Sequence, residues 1–304
     1  MSSLDLLPVA HRAPRPPRLP DWCRPEPVPR DAADELRRGL RRLGQHSVCE
    51  EARCPNLPRC FARGTVTFML LGAVCTRACR FCDVETGRPG PVDPAEPVRV
   101  ARAAAELGLA HVVLTSVNRD DLADGGSLQF VATLAALREA LPTATLEVLT
   151  PDFRGDAAAI ERIADAGPQV YNHNLETVPR LYRRVRPGAA YARSLSLLER
   201  VASRHPHMIV KSGLMLGLGE HSEEVRTVMA DLRRSGVRAL TLGQYLRPSL
   251  RHLPVERYLD PEEFEAYRES AMGLGFRHVA SGPLVRSSFR ADQLLELMDS
   301  EVRP

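Results

Sequence analysis

Lysine is almost missing from this chain: of 41 basic residues only Lys211 is a lysine, and the rest are arginines. We attribute that bias to genome composition, and it makes the one retained lysine a residue to follow. No block of like charge interrupts the balance of 41 basic and 38 acidic residues, so the electrostatic footprint of a nucleic-acid binder is missing too. No apolar run approaches the roughly 18 residues that a membrane-spanning helix needs. The opening Met1 to Leu7 carries Asp5 where a secretory leader wants basic residues. A cytoplasmic protein with neither nucleic acid nor membrane as partner is expected. A 304-residue chain that is 44% hydrophobic and 26% charged is also neither disordered nor a mini-protein dependent on staples.

Four regions follow from the order of residue types. Residues 1–30 contain eight prolines, too many for a helix or a central strand, and read as an extended arm. Residues 31–64 open with a helical pattern over 31–43 and then enter a loop region dense in cysteine. Residues 65–276 alternate apolar runs with 3.6-period segments. Strands are expected at 66–71, 111–117, 145–149, 169–175, 208–216 and 239–246, and helices at 97–107, 128–140, 156–166, 190–203, 222–234 and 261–274. Pro97 and Pro261 suit first-turn positions, and Gly108, Gly167, Gly236 and Gly275 suit the left-handed residue after a helix end. Residues 277–304 form a C-terminal tail.

Six βα units imply parallel strands with right-handed crossovers, in either a doubly wound sheet or a full or partial (β/α) barrel. Periodicity does not choose between them. In both, ligands bind at the carboxyl ends of the strands. The polar residues expected there are Thr115, Ser116, Asn118 and Asp121, then Asn172, His173, Asn174 and Glu176, then Lys211 and Glu220. Taken singly, each reads at least as readily as a cap or a solvated side chain. His173, inside a strand, reads as a satisfied core histidine.

Six of the seven cysteines fall between Cys49 and Cys82, as two triplets, Cys49-x4-Cys54-x5-Cys60 and Cys75-x3-Cys79-x2-Cys82. Disulfides, zinc and iron–sulfur clusters are the available causes. A reducing cytosol does not keep disulfides. Structural zinc closes with four ligands, whereas each triplet supplies three, and no H-x3-5-H spacing follows. Three thiolates suit a [4Fe–4S] cluster with one iron left open. Cys23, among prolines and outside both triplets, reads as an ordinary free thiol.

The segment Gly72-Ala-Val-Cys75-Thr-Arg-Ala-Cys79-Arg-Phe-Cys82, on the loop after the first strand, resembles the radical S-adenosylmethionine superfamily. With the six βα units, that resemblance gives the expected fold, a partial (β/α)6 barrel with N-terminal and C-terminal extensions. It also implies that S-adenosylmethionine binds the open iron and is cleaved reductively to a 5′-deoxyadenosyl radical. The first triplet, Cys49-Glu-Glu-Ala-Arg-Cys54-Pro-Asn-Leu-Pro-Arg-Cys60, is similar to the auxiliary-cluster motif of the lipoyl synthase family. Tyr171-Asn-His-Asn-Leu-Glu-Thr177, Lys211-Ser-Gly-Leu-Met-Leu-Gly-Leu-Gly-Glu220, Gly243-Gln-Tyr-Leu-Arg-Pro248 and Gly282-Pro-Leu-Val-Arg-Ser-Ser-Phe289 agree with it.

The resemblance implies two [4Fe–4S] clusters. Cys75, Cys79 and Cys82 would hold the one that binds S-adenosylmethionine. Cys49, Cys54 and Cys60, with Ser288 or else Ser287 as the fourth ligand, would hold the auxiliary one, and Arg286 would support that tail. Phe289 stands where the family pattern has tyrosine. Thr115, Asn118, Glu176, Lys211 and Glu220 are expected to contact the cofactor. The implied reaction inserts sulfur at C6 and C8 of an octanoyl chain amide-linked to a lysine of a carrier protein. Such C–H bonds have no useful acidity, so acid–base catalysis is excluded and a radical route remains. Implied partners are 2-oxoacid dehydrogenase E2 subunits and the glycine cleavage H protein as carriers, flavodoxin or ferredoxin as reductant, and an iron–sulfur carrier protein. A single-sulfur radical enzyme would lack the first triplet with its late serine. An electron relay would leave the three-cysteine count unexplained, and metal analysis would separate a zinc module.

Overall fold

The computed structural model describes residues 18–25, 31–44, 47–51, 54–62 and 65–288. Most of the proline-rich arm, Phe289 and residues beyond it lie outside them. Along the chain come α1 (Asp31–Arg42), α2 (Val48–Glu51), α3 (Leu57–Ala62), β1 (Val66–Leu70), β2 (Val74–Cys75), β3 (Glu85–Thr86), α4 (Glu96–Glu106), β4 (His111–Ser116), α5 (Ser127–Ala140) and β5 (Thr145–Leu149). Then follow α6 (Ala157–Asp165), β6 (Val170–Asn172), α7 (Tyr182–Val185), α8 (Tyr191–Arg204), β7 (Ile209–Leu216), α9 (Ser222–Arg234), β8 (Ala239–Gln244), α10 (Pro261–Gly273) and β9 (His278–Gly282).

The main sheet is parallel throughout, in the order β1-β4-β5-β6-β7-β8-β9, while β2 and β3 form a separate two-stranded ladder. Strand order follows chain order without a reversal. A doubly wound sheet needs a reversal to put helices on both faces, whereas successive right-handed crossovers in one direction lay every helix on one face and curl the sheet. The partial barrel is therefore the architecture, with six βα units and a seventh strand.

Local sequence explains the helices. Pro261 opens α10 behind a capping box of Asp260 and Glu263, and His221 with Glu224 forms the same device on α9. Gly108, Gly167, Gly236 and Gly275 take positive φ after helix ends, as expected. Helix α9 buries Val225, Val228, Met229 and Leu232, one stripe at helical spacing, each contributing about 1.5–3 kcal/mol by burial.

Two segments extend the barrel at its edges. Ser47 makes an antiparallel bridge to Phe68 on β1. At the other edge the sheet runs to Gly282 through β9, so the tail begins at Pro283 rather than at 277. The strand His278-Val-Ala-Ser-Gly282 escapes sequence reading because it is half-buried and has no apolar run.

Inward-facing residues form layers. Glu147, Asn172 and Lys211, on adjacent strands β5, β6 and β7, make a buried polar layer in which Lys211 Nζ lies 3.0 Å from Glu147 Oε1. Two positions further along the chain from each, Leu149, Asn174 and Gly213 line a cavity. Two strand residues span about 6.6 Å, so the ion pair lies one layer beneath that cavity.

Candidate active site

Chemistry-bearing side chains gather at the carboxyl ends of the strands. After β1 the chain reverses through Leu71 and Gly72, both left-handed, with φ of 68° and 87°. The Leu71 amide donates to the Glu96 carboxylate at 2.9 Å, which fixes the start of the cysteine loop. Cys75 then enters the ladder with Thr86, and its sulfur accepts the backbone N–H of Arg77 at 3.4 Å and of Asn118 at 3.3 Å. Such donors lower the cost of negative charge on sulfur.

Three further ties hold this loop. Thr76 donates its N–H and its hydroxyl to the Asn118 carbonyl, and the Asp120 amide donates to Thr76 Oγ. The Arg77 guanidinium bridges Asp120, at 2.6 and 2.8 Å, and the fully buried Asp152, at 2.7 Å. Burial alone raises the Asp152 carboxyl, but Arg77 overrides it and holds the group down to about 2. His252 Nε2 reaches the Cys82 carbonyl at 3.0 Å while its Nδ1 meets Ser249 Oγ.

The first triplet is built by short helices. Cys49 sits on α2 and Cys60 on α3, with Cys54 between them, its N–H donating to the Cys49 carbonyl. The Cys60 amide donates to the Asn56 carbonyl, and the Asn56 side chain donates to the carbonyl of Leu284 in the tail at 2.5 Å. The auxiliary segment and the C-terminal tail are thus tied directly.

All six cysteines, together with Arg286, Ser287 and Ser288, line one cavity of about 510 Å³. Thr115, Asn118 and Glu176 are on its wall. Thr115 donates its hydroxyl to the Leu149 carbonyl. Glu176 has φ of 68°, an unusual conformation for a side-chain-bearing residue, and accepts from Asn174 Nδ2 at 3.0 Å. Burial raises its carboxyl, opposed by the Arg186 charge.

Two expected cofactor contacts are elsewhere. Lys211 is 2% exposed and committed to Glu147 in the layer below the cavity. Glu220 turns its carboxylate to the amides of Gly217 and Leu218, closing the turn after β7, and is not on the cavity wall. Their positions along the chain were right for a strand end, but their heights were not. Cys23 is 1% exposed and off the wall. His173 is a buried, satisfied histidine that also borders the cavity: its ring nitrogens meet Thr150 O at 2.8 Å and Ser194 Oγ at 2.9 Å, and burial with nearby Arg186 pushes it down to about 4.

Arg77, Arg186 and His252 are site residues that sequence reading missed. Arg186 donates from Nη1 to the carbonyls of Asn174 and Leu175, beside Cys79, and its buried Nε has no partner. Among so many arginines nothing in the sequence marked it. Asn174 Oδ1 and Ser116 Oγ on the same wall are likewise buried and unpartnered. These atoms are free to meet a polar ligand or water in the cavity.

Burial lifts the Cys49 and Cys82 thiols to about 12 and raises Cys79. Binding a metal there means displacing protons. Among the described residues no group of three or more His, Cys, Asp or Glu side chains is placed to hold a single ion. Thiolates set apart in threes suit a polynuclear cluster with one sulfur per corner iron. Two sets of three thiols on one cavity fit two such clusters, with polar wall atoms for a cofactor.

The comparisons agree with that geometry. A family model described as the Radical SAM superfamily matches residues 69–232. Lipoyl synthase from Proteus mirabilis is 54% identical over 278 residues, covering 90% of this chain and 86% of the relative. Lipoyl synthase from Methylococcus capsulatus is 55% identical over 95% of this chain and 90% of the relative. Among solved structures, Streptococcus suis SuiB bound to its precursor peptide SuiA superposes with a TM-score of 0.55 at 13% identity, over 75% of this chain and 50% of that one. Methylornithine synthase superposes with a TM-score of 0.51 at 14% identity, over 82% and 81%. These two distant structures share the fold. Identity above half along nearly the full length, with both cysteine triplets at one cavity, makes the chain a member of the lipoyl synthase family within the radical S-adenosylmethionine superfamily.

Proposed function

We propose a division of labour within one cavity for the lipoyl synthase reaction, which this chain catalyses on lipoyl carrier domains. When bound, two [4Fe–4S] clusters and S-adenosylmethionine supply electrons, hydrogen abstraction and the two sulfur atoms placed at C6 and C8 of the carrier's octanoyl chain. Cys75, Cys79 and Cys82 hold the cluster that binds the cofactor. Cys49, Cys54 and Cys60 hold the auxiliary cluster, with Ser288, and Ser287 as the alternative, as its oxygen ligand. An oxygen donor on a soft cluster is easier to release than a thiolate, which suits a cluster consumed as sulfur donor.

The rest of the wall binds and excludes. Arg186, with its unpartnered Nε beside Cys79, suits a carboxylate, and Glu176 suits ribose hydroxyls. Thr115 and Asn118 hold the backbone of that side of the cavity. Met69, Phe81, Leu214, Met215 and Val285 offer an apolar wall for an eight-carbon chain and keep water away. An electron relay needs no such cavity.

The observation that carries this reading is the convergence of both triplets and both tail serines on one cavity. We assign 2-oxoacid dehydrogenase E2 subunits and the glycine cleavage H protein as carriers, flavodoxin or ferredoxin as reductant, and an iron–sulfur carrier protein as the source of replacement clusters. No helix among the described residues is long and apolar enough to cross a membrane, and we place the reaction in the cytoplasm. Iron analysis tests the ligand sets. Reconstituted wild type holds about eight irons per chain, and Cys54→Ala and Cys79→Ala each hold about four. Only Cys79→Ala loses cofactor cleavage. Equal loss of cleavage in both variants overturns the assignment.

A further inference from the structure

The serine-bearing tail crosses β8 where that strand has no side chain. A Cβ built on Gly243 would lie 2.1 Å from the Val285 carbonyl oxygen and 3.3 Å from Arg286 Nη1. The first distance is impossible for real atoms, so even alanine at 243 pushes the tail off the strand. Gly243 is buried and its φ is not in the left-handed region, so backbone conformation does not call for glycine here. Only the close approach of another backbone does.

Gly282 provides an internal comparison. It faces the same Val285, but its built Cβ lies 3.6 Å from Val285 Cγ2, an ordinary van der Waals contact. Alanine fits there. On either side of the crossing the tail is latched, by Asn56 Nδ2 to the Leu284 carbonyl and by Asn174 Nδ2 to Ser287 Oγ. Asn56 lies between Cys54 and Cys60, so one latch belongs to the auxiliary segment and the other to the barrel wall.

We propose that Gly243 is a positioning residue, the seat on which residues 284–288 are pressed against the cavity, and that Asn56 latches the tail on that seat. Seating puts Ser287 and Ser288 on the wall of the cavity that the first triplet also lines. The link to the auxiliary cluster rests on the ligand reading above, whereas the seat itself does not.

Native-state trypsin cleavage of the Arg286–Ser287 bond, followed by mass spectrometry of the peptide ending at Arg286, reads tail seating in the full-length protein before any cluster is loaded. Gly243→Ala speeds that cleavage by about tenfold or more, because bond accessibility follows local opening. Gly282→Ala cleaves at the wild-type rate. Asn56→Ala also speeds cleavage, and it carries the test if Gly243→Ala does not fold. Cleavage of Gly243→Ala, or of Asn56→Ala in its place, at the wild-type rate overturns the proposal. Iron content of the reconstituted variants then separates the two claims. A released tail with about four irons supports both, and a released tail with about eight irons keeps the seat but removes the serine as ligand.

Discussion

Asn174 Nδ2 donates to Ser287 Oγ across 113 residues of chain, and the same amide donates to Glu176 Oε1 at 3.0 Å. One side chain just beyond β6 thus touches both the Glu176 wall of the cavity and the tail. Its engagement of Ser287 leaves Ser288, on the same cavity wall, without that tie.

This distinguishes the two serines. Ser288→Ala lowers iron from about eight to about four per chain while 5′-deoxyadenosine formation persists, and Ser287→Ala keeps both clusters. Iron and sulfide analysis with a cleavage assay measures it. The opposite pattern makes Ser287 the ligand.

Arg77 joins the cysteine loop to two carboxylates, one of them fully buried. Arg77→Ala leaves the partly exposed Arg193, at 3.1 Å, as the ion-pair partner of Asp152 among the described residues and costs about 3–5 kcal/mol. Denaturant unfolding measures this. A loss below about 1 kcal/mol would mean that the bridge is no anchor.

Acid should weaken the fold in two windows. His173 is held neutral, pushed down to about 4 against about 6.5 in an unfolded chain, so its contribution is complete above about pH 6.5 and is lost as pH falls toward 4. The loss is about 3 kcal/mol at the lower end. Asp152, held to about 2, contributes stability that is complete above about pH 4 and is lost below it. Unfolding midpoints of wild type and His173→Gln across pH 7 to 4 check the first window: the slope belongs to wild type, and an equal slope in the variant contradicts it.

Lys211 supports the barrel beneath the cavity. Lys211→Met leaves Glu147 buried without its cation and costs about 3–5 kcal/mol, with cofactor affinity of the folded variant unchanged. Weakened cofactor binding at unchanged stability would return Lys211 to the cavity wall.

Much of this molecule was legible in its residues. The six βα units were readable because apolar runs alternate with helical segments, four of which are marked by a proline start or a glycine end, and the cysteine spacings pointed to the two triplets. Strand β9 was hidden because its small, half-buried residues make no periodic signal. Lys211 and Glu220 were misplaced because order along a strand does not tell which interior layer a side chain enters, or whether a carboxylate turns back to its own loop. Arg186 and His252 were hidden among chemically similar residues, and their roles depend on which distant carbonyls they meet. The seat at Gly243 depends on the path of a tail 42 residues further along, since Val285 lies over it.

The most direct measurement of the central claim is mass spectrometry of an octanoyl-lysine peptide after anaerobic incubation with the reconstituted protein, S-adenosylmethionine and a reductant. The account predicts a product that has gained two sulfur atoms as thiols at C6 and C8, with two C–H bonds replaced by C–SH and no net change in hydrogen. Formation of 5′-deoxyadenosine with the peptide unchanged would contradict it.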